Sequence, residues 1–289
     1  MKMTIKKDQV IGQILKKAQN SNSKDRVLPF MRSRLNLKKS FSILSANPEI
    51  VLLALKDSNF ASILLSSDIL LNDGVGISIA NEFLGKKTYK SKFLSFFLYI
   101  YQGIFEGVSI FFKKDKKVLK GRDLFMEVIK IANKLNWKIF LLGGRKDEAL
   151  KTKKKLEASF KQIKIEADQG AIVNNLGVPI SKEGELKQQK AIDKLNSFKP
   201  DIVFVAFGAP KQEFWINNNR KNLDTKGIMA VGGTFNYIAG NMRLPMSIFE
   251  KTGLEWVWRL LVEPKRIIRI INAVIIFPLK VFLYKLNQN

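Results

Sequence analysis

The stretch Asp201–Asn219, DIVFVAFGAPKQEFWINNN, contains the pattern that decides the fold of this chain. Its apolar first part predicts a strand over Asp201–Phe207, and the uninterrupted run of apolar side chains indicates burial on both faces. Gly208-Ala209-Pro210 then ends the strand, because glycine and proline favour turns. A helix is predicted to follow at Gln212–Asn219. A doubly buried strand joined to a helix in this way is typical of a parallel sheet with helices on both sides.

The same strand-turn-helix unit recurs along most of the chain. We predict further strands at Phe41–Leu44, Ile69–Leu71, Lys138–Leu142, Lys164–Ala167 and Gly227–Val231. Helices are predicted at Gln9–Ala18, Glu49–Lys56, Ser58–Ser66, Asp123–Leu135, Glu148–Phe160 and Glu185–Phe198, and after Gly76 to about Leu84. The remainder of residues 1–40 is polar and basic and is expected to be irregular. The sequence therefore predicts an α/β fold with a mostly parallel sheet covered on both faces.

The composition excludes several kinds of chemistry. The 289 residues contain neither cysteine nor histidine, so disulfides, thiolate nucleophiles and histidine bases are ruled out, and we expect no metal site and no cofactor. Proton transfer must then use a carboxylate, a lysine or a tyrosine. The length fits about two domains, or one large α/β domain with an appendage.

Positive charge is concentrated in two segments that also contain the most apolar runs. The chain carries 50 lysine and arginine residues against 25 acidic ones, a net charge of +25. Lys86–Arg122 contains ten basic and two acidic residues, and Lys251–Asn289 contains seven and two. Basic residues that flank apolar runs favour contact with an anionic membrane surface. A solvated basic face and a nucleic-acid-binding surface are the alternatives.

The run Phe93–Phe112, FLSFFLYIYQGIFEGVSIFF, is the strongest membrane signal in the chain. Twenty helical residues would just cross a hydrocarbon core of about 30 Å. Glu106 argues against a span, because an ionisable group near the bilayer centre costs at least about 2.5 kcal/mol. An interfacial or re-entrant element is favoured over a buried soluble helix pair and over a true span. The N-terminal stretch MKMTIKKDQVIGQILKKAQ has no long apolar core, so we expect no signal peptide.

Small and polar residues follow the strands at four places: Ser45–Asn47, Asn72–Gly76, Gly143–Gly144 with Gly208–Glu213, and Gly232–Asn236. Ligands of open α/β sheets bind outside the carboxyl ends of the strands, where glycines let them approach the backbone. A tight turn explains any one glycine pair equally well, but four such ends together favour a site for a nucleotide or a nucleotide-sugar. Neither a P-loop nor a GxGxxG pattern occurs, which argues against an ATPase or a dehydrogenase. The candidate donor-binding residues are Asn47, Gly74, Gly143, Gly144, Gly208, Pro210, Gln212, Glu213, Gly232, Gly233, Thr234 and Asn236.

Asp73 is the candidate catalytic carboxylate. It follows the apolar strand Ile69–Leu71 and precedes Gly74, a position that directs a side chain into the cleft at the strand ends. As a general base it would remove a proton from an acceptor hydroxyl. The alternative is that Asp73 caps the helix that follows. The absence of histidine favours the catalytic interpretation.

Three arginines near the C-terminus form a second cluster. Arg259, Arg266 and Arg269 are spaced so that one face of a continuous helix would carry them all, although Pro264 can interrupt such a helix. In a chain with four lysines for every arginine, this cluster favours bidentate recognition of phosphate. Surface arginines at a helix end are the alternative.

Seven stretches resemble one known family in their order and spacing. They are SANPEIV (Ser45–Val51), NDGVGI (Asn72–Ile77), GRDLF (Gly121–Phe125), FLLGG (Phe140–Gly144), FGAPKQEFWI (Phe207–Ile216), VGGTFNYIAGNMRLP (Val231–Pro245) and GLEWVWRLLVEPKRIIR (Gly253–Arg269). The chain resembles the WecB/TagA/CpsF glycosyltransferases of bacterial cell-surface polysaccharide synthesis over roughly residues 41–270, without the aromatic insert. The resemblance implies a Rossmann-like domain of the GT-E type with a C-terminal appendage that binds the membrane.

The resemblance also implies a reaction and its residues. A sugar, typically N-acetylmannosamine or a related uronate, would pass with inversion and without a metal from a UDP-sugar to a polyprenyl-diphosphate-linked sugar. Asp73 would be the base with Ser45 near it, and Gln212 would contact the donor. Arg259, Arg266 and Arg269 would hold the diphosphate of the lipid acceptor or of UDP. The enzyme would lie peripherally on the cytoplasmic face of the membrane and bind no nucleic acid. A homo-oligomer is compatible with the resemblance.

The chain departs from the family pattern at three positions. Ser45 replaces the usual threonine and keeps the hydroxyl, Asn236 replaces the usual aspartate, and Val118 stands where an arginine is common. Because Asn236 lacks the charge of the usual aspartate, the identity of the donor sugar is left undetermined. Function classes that the residues leave as alternatives are a basic nucleic-acid-binding protein and a nucleotide-sugar epimerase.

Three regions are expected along the chain. Residues 1–40 would be an N-terminal extension, and residues 41–245 the glycosyltransferase domain with an apolar insert at 90–117. Residues 246–289 would form the membrane-associating helical appendage.

Overall fold

A six-stranded sheet with the strand order β2-β1-β6-β5-β3-β4 forms the centre of the protein. The structure is a computed structural model that describes residues 9–21, 23–88, 91–112, 119–242, 245–246, 249 and 255–288. Each strand pairs in parallel with its neighbours, which confirms the predicted sheet. The strands are β1 (Phe41–Ala46), β2 (Ile69–Asn72), β3 (Lys138–Gly143), β4 (Lys164–Asp168), β5 (Ile202–Ala206) and β6 (Gly227–Ala230).

Helices cover both faces of this sheet. The first face carries α1 (Val10–Gln19), α3 (Pro48–Lys56), α4 (Ser58–Ser66), α5 (Val75–Gly85), α6 (Lys92–Phe112), α9 (Lys182–Phe198) and α10 (Lys211–Asn219). The second face carries α2 (Lys24–Asn36), α7 (Gly121–Leu135), α8 (Glu148–Ser159) and α11 (Thr234–Ile238). The predicted elements are present, with ends that differ by one to three residues.

The core consists of two apolar layers that meet the sheet from opposite sides. Successive residues of a strand point to opposite faces, so Leu44 of β1 belongs to the first layer and Ile43 to the second. The central strands β1, β5 and β6 are buried along their whole length. This is the reason that Ile202–Ala206 is an uninterrupted apolar run rather than an alternating one.

The N-terminal region is more regular than the sequence predicts. Beyond the expected first helix, α2 forms with Ser23 as its N-cap, whose hydroxyl accepts a hydrogen bond from the backbone N–H of Asp25. Val27, Met31 and Leu35 lie four residues apart and are buried on the second face. The expectation of an irregular segment was wrong here, because three apolar residues at helical spacing are enough to dock a polar helix.

The described residues 255–288 form two helical segments near the C-terminus. Helix α12 (Glu255–Val262) ends before Pro264, where a 3₁₀ turn at Pro264–Arg266 begins the C-terminal helix, Pro264–Leu286. That helix contains a π-helical turn at Asn272–Ile276. Proline therefore interrupts the single helix that the arginine spacing would need, because its ring and its missing N–H are incompatible with a helix interior. By length and composition, the C-terminal helix is the one among the described residues that could cross a membrane.

The aromatic run forms one unbroken helix, α6, of 21 residues. The predicted insert 90–117 is described over residues 91–112, and its remaining residues lie outside the described part of the structure. Tyr99 and Glu106 of α6 are buried against the domain, whereas Phe93 and Tyr101 are exposed. Helix α6 is thus half-buried, and not the buried helix pair considered as an alternative.

Candidate active site

The carboxyl ends of all six strands lie at one edge of the sheet, since the pairings are all parallel. The four strand ends singled out in the sequence therefore share this edge. The loop after β1 leads to α3 on the first face, and the loop after β6 leads to α11 on the second face. Neighbouring connections that diverge in this way open a crevice between the two strands, which is where ligands bind in open α/β sheets.

Asp73 lies at this edge, directly after β2. Its backbone N–H donates to the carbonyl of Ala46 at the end of β1, with an N–O distance of 2.9 Å. Its Oδ1 accepts a hydrogen bond of 3.3 Å from the backbone N–H of Gly121, the first residue of α7. Helix α5 begins after Gly74 without a side-chain cap. The N-cap residue of α5 is therefore Gly74 and not Asp73, and Asp73 contacts the start of a helix from the opposite face.

Ser45 lies beside the same helix start. It occupies β1, where it pairs in register with Leu71 of β2, and only a small part of it is exposed. A β-carbon built on Gly121 would stand 3.6 Å from Ser45 Oγ. The Ser45 hydroxyl and the Asp73 carboxylate therefore both lie close to the backbone of Gly121.

Gln212 ties together the ends of β5 and β6. Its Oε1 accepts hydrogen bonds from the backbone N–H groups of Gly208 at 3.2 Å and of Gly232 at 3.1 Å. Its Nε2 donates to Oε1 of Glu213 at 2.9 Å. Every polar atom of this buried side chain is thus engaged. Gln212 fixes the two glycine turns that border the crevice, which is a structural role besides any contact with a donor.

Glu213 lies behind Gln212 and is completely buried. Burial raises the pKa of the Glu213 carboxyl to about 7, while the hydrogen bond from Gln212 opposes that shift. Its Oε2 atom has no hydrogen-bond partner among the described residues. The structure therefore does not bring Glu213 to the crevice surface, and the carboxyl acts through Gln212 by fixing which way the Gln212 amide points.

Glu213 makes stability depend on pH. Its carboxyl binds a proton more tightly in the folded state, where the pKa is about 7, than in the unfolded state, where it is near 4.5. The stabilisation is complete below pH 4.5 and is lost as the pH rises to about 7, an effect of about 3 kcal/mol. Urea unfolding of the Glu213→Gln variant, whose neutral amide can still accept from Gln212, should lack this part of the pH dependence. An identical loss of stability between pH 5 and 8 in both proteins would contradict the assignment.

The predicted glycines fall into two groups. Gly208, Gly232 and Gly233 have open space where a β-carbon would stand, so a ligand could approach their backbone closely. Gly143 and Gly144 instead pack against the ring of Phe207 and the side chain of Glu148. The first group borders the crevice at β5 and β6. Gly143 and Gly144 are explained by the tight packing of their own turn. They follow β3, which three strands separate from β2 and Asp73.

Other predicted donor residues have local structural partners. Asn47 caps α3, because its Oδ1 accepts from the backbone N–H of Ile50 at 2.9 Å. The Thr234 hydroxyl donates to the carbonyl of Val231 at 2.7 Å and is buried. Pro210 is the N-cap residue of α10, Gly74 has a positive φ of 151° ahead of α5, and Asn236 is half-buried in α11.

The C-terminal arginines approach the same edge of the sheet. Arg269 Nε lies 3.3 Å from Oε1 of Glu49, in the first turn of α3 just after β1. Arg266 forms an ion pair with Glu263 and lines a small hollow with Tyr237 of α11. Arg259 belongs to α12, and its side chain lies outside the described part of the structure. Two of the three arginines therefore flank the crevice from opposite sides, at α3 and at α11.

Arg122 is a residue at this edge that the sequence analysis did not select. It is the second residue of α7, next to the Gly121 N–H that reaches Asp73, and its guanidinium lies 5.6 Å from the ring centre of Tyr237. The signal was available, because Arg122 is one of only ten arginines in the chain and lies within the GRDLF motif. It is a further cation beside the site.

These features define an open α/β domain with a ligand crevice at the switch point of its sheet, where a carboxylate, a hydroxyl, open glycine turns and arginines meet. Among the described residues no cluster of acidic side chains could hold a metal ion. The profile of the glycosyl transferase WecG/TagA/CpsF family matches residues 13–113 and 95–289. The chain belongs to this family, and it is a glycosyltransferase.

Curated relatives agree with the family assignment. An N-acetylglucosaminyldiphosphoundecaprenol N-acetyl-beta-D-mannosaminyltransferase of Bacillus spizizenii is 27% identical over 233 residues, covering 80% of this chain and 75% of the relative. Enzymes of the same name from Bacillus subtilis and Staphylococcus aureus strain MRSA252 are 28% and 26% identical. They cover 78% and 85% of this chain and 72% and 79% of their own lengths.

Proposed function

We propose that this glycosyltransferase moves a sugar from a UDP-sugar to a sugar that is linked to a polyprenyl diphosphate, with inversion at the anomeric carbon. The relatives' name describes transfer of N-acetylmannosamine to an N-acetylglucosamine on undecaprenyl diphosphate, and that pair of substrates is the first candidate. The observation that carries the mechanism is the position of Asp73 beside Ser45 at the crevice edge.

The proposed step uses Asp73 as a general base. Its carboxylate takes the proton of the acceptor hydroxyl, and the oxygen forms a bond to the anomeric carbon from the face opposite to UDP. The bond between the anomeric carbon and the diphosphate oxygen breaks, and its electron pair leaves with UDP. The neighbouring Ser45 hydroxyl can donate a hydrogen bond to the sugar and so orient it.

The leaving diphosphate needs positive charge or hydrogen-bond donors. In the proposal Arg266 and Arg269 supply the positive charge without a metal ion. Planar guanidinium groups suit this task because they bind phosphate oxygens in pairs. We expect the transfer rate in EDTA to equal the rate with added magnesium. A requirement for the metal ion would contradict this part of the proposal.

The acceptor places the reaction at a membrane. A polyprenyl diphosphate keeps its chain in the bilayer and its phosphates among the headgroups, so the enzyme must work at that surface. The basic, apolar C-terminal region of the chain suits a peripheral position on the cytoplasmic, anionic face. We propose this location for the enzyme.

The direct test is product formation from defined substrates. Purified protein, a synthetic polyprenyl-diphosphate N-acetylglucosamine and a panel of UDP-sugars should yield, by mass spectrometry, a lipid that gains one sugar from one donor. Formation of an epimerised UDP-sugar in the absence of lipid would indicate the epimerase alternative. No lipid product with any donor would contradict the proposal.

Arg269 should matter for the lipid acceptor rather than for folding. We expect Arg269→Ala to reduce turnover on the lipid acceptor about tenfold, the loss of one charge-assisted contact, with the free energy of unfolding unchanged because the ion pair with Glu49 is largely exposed. The turnover of Arg269→Lys should lie between that of Arg269→Ala and that of the natural protein. Arg32→Ala, which removes an exposed arginine of α2, is the matched control. Equal turnover of Arg269→Ala and the control would make Arg269 a surface residue only.

A further inference from the structure

Helix α6 exposes aromatic side chains and buries polar ones, the reverse of the usual arrangement in water. Among its described side chains, six large apolar ones are exposed, with Phe93 at 79% and Tyr101 at 68% exposure: Phe93, Phe96, Phe97, Ile100, Tyr101 and Phe105. Its buried face carries Ser95, Tyr99 and Glu106, the last only 1% exposed. Soluble domains normally place such residues the other way round. An aromatic face of this size indicates a partner that is itself apolar.

Polar contacts fasten the buried face of α6 to the domain. Lys285 of the C-terminal helix donates to the carbonyl of Phe83 in α5 and to Oε1 of Gln102 in α6, at 3.2 Å for the latter. The Lys285 ammonium also lies 4.6 Å from the ring centre of Tyr99. Lys86, just after α5, pairs with Glu106 of α6 at 3.1 Å. The aromatic helix is therefore held in one orientation, with its phenyl rings outward.

The C-terminal helix has the same two-sided character. Ile270, Phe277, Val281 and Lys285 recur along one side and are buried against the domain. The other side exposes Ile268, Ile275, Leu279 and Leu283. Rings of Phe96 and Phe282 meet at a centroid distance of 5.7 Å, so the exposed sides of the two helices join. We call these ten exposed residues of the two helices the apolar face: Phe93, Phe96, Phe97, Ile100, Tyr101, Phe105, Ile268, Ile275, Leu279 and Leu283.

This packing argues against a transmembrane span, although length and composition would allow one for Pro264–Leu286. A spanning helix has lipid or other membrane-embedded helices around it. Here Phe277, Val281 and Lys285 dock on the water-soluble α/β domain near the far end of that stretch. A helix with one side on such a domain and the other side apolar fits the plane of a lipid monolayer.

The charge around the apolar face identifies the lipid. Exposed lysines border it at Lys86, Lys87, Lys265 and Lys280, and both segments that form it, Lys86–Arg122 and Lys251–Asn289, carry more basic than acidic residues. Lysines at the rim of an apolar surface attract anionic headgroups. A protein partner would have to be both apolar and acidic at the rim to match this arrangement.

We propose that α6 and the C-terminal helix insert together, side by side and parallel to the bilayer, into one anionic lipid monolayer. The aromatic helix α6 is then a second insertion element besides the C-terminal one. The inference rests on the membrane partner of the proposed function, but it requires no glycosyl transfer. Near the start of the C-terminal helix, Arg269 contacts Glu49 at the crevice edge. Insertion of that helix therefore brings the crevice to the level of the headgroups.

The absence of cysteine from these 289 residues allows a test with single attached probes. A single environment-sensitive fluorophore is attached to Tyr101→Cys, Ile268→Cys, Ile275→Cys or Leu283→Cys, with Leu150→Cys on the opposite face of the sheet as the control. Vesicles contain either phosphatidylcholine alone or equal parts of phosphatidylcholine and phosphatidylglycerol. Quenchers at known depths in the acyl chains then measure how deep each probe lies.

We expect a blue shift at position 101 and at the three C-terminal positions with anionic vesicles, none at position 150, and one shared shallow depth. A deep probe at 275 with shallow ones at 268 and 283 would mean a span and would overturn the in-plane arrangement. Insertion of the C-terminal probes without position 101 would overturn the role of α6. A shift at 101 without vesicles that grows with protein concentration would assign the apolar face to a second copy of the chain.

A pair of double variants tests the contribution of α6 to affinity. Phe97→Ser/Tyr101→Ser should bind anionic vesicles about tenfold more weakly in co-sedimentation, whereas Leu135→Ser/Leu150→Ser, exposed leucines on the second face, should bind as the natural protein does. Circular dichroism checks that both variants fold. Because no sugar substrate is present, equal binding of both variants would refute the inference and leave the proposed transferase reaction untouched.

Discussion

Replacing Asp73 by asparagine should lower sugar transfer about a thousandfold, while UDP binding stays within about twofold of the natural protein. A general base contributes roughly 10²–10⁴ to the rate, and asparagine cannot take the proton. The asparagine Oδ1 can still accept the hydrogen bond from Gly121, so the start of α7 should stay in place. Single-turnover transfer to the lipid acceptor measures the rate, and calorimetric titration measures UDP binding.

The control for this variant is Asp224→Asn, an exposed aspartate that pairs only distantly with Lys199. It should transfer sugar normally. A structural role of Asp73 would appear as a lower melting temperature with a normal rate constant, the reverse of the expected pattern. An Asp73→Asn enzyme with full activity would exclude Asp73 as the base.

Replacing Gln212 by alanine should have the second-largest effect, on stability and on donor use together. The change leaves the N–H groups of Gly208 and Gly232 without their acceptor and the buried Glu213 without its donor. Buried groups that lose a partner cost about 1–3 kcal/mol each, so we expect a loss of about 3 kcal/mol in the free energy of unfolding. Because both turns border the crevice, the KM for the UDP-sugar should rise at least tenfold.

Two further variants separate these effects. Gln188→Ala removes one hydrogen bond from Trp215 of the same helix, away from the crevice, and should cost about 1 kcal/mol with a normal KM. Gln212→Glu keeps acceptors for both glycines but sets a second acidic group against Glu213, so its KM should improve as the pH falls and one carboxyl takes a proton. A Gln212→Ala enzyme that is less stable but has a normal KM would restrict Gln212 to folding.

The sheet could be predicted from the sequence because its strands are doubly buried. The strand Ile202–Ala206 contains no polar residue, and Gly208 and Pro210 after it indicate the turn. The helix α2 could not be predicted in the same way, because Lys24, Asp25, Arg26 and other polar residues outnumber its three buried apolar ones. Its stability comes from contacts with the second face of the sheet, which a local pattern does not contain.

The candidate site was predictable in position and only partly in detail. Strand ends gather at one edge in any parallel sheet, so the residues that follow the strands could be assigned to that edge before the fold was known, and the family resemblance implied that Ser45 lies near Asp73. The difference between Gly232, which faces open space, and Gly144, which packs against Glu148, depends on neighbours distant in sequence. The burial of Glu213 behind Gln212 likewise follows from the packing of α10 and not from the motif that contains both residues.

The docking of the C-terminal helix has a practical consequence for anyone who shortens this protein to make it easier to handle. Phe277 and Val281 are members of the larger of the two interior clusters, alongside residues of α3 and α5. A truncation before Pro264 would remove the proposed membrane anchor and at the same time expose the interior of the α/β domain. Loss of activity in such a shortened protein would then report on damage to the fold as much as on detachment from lipid.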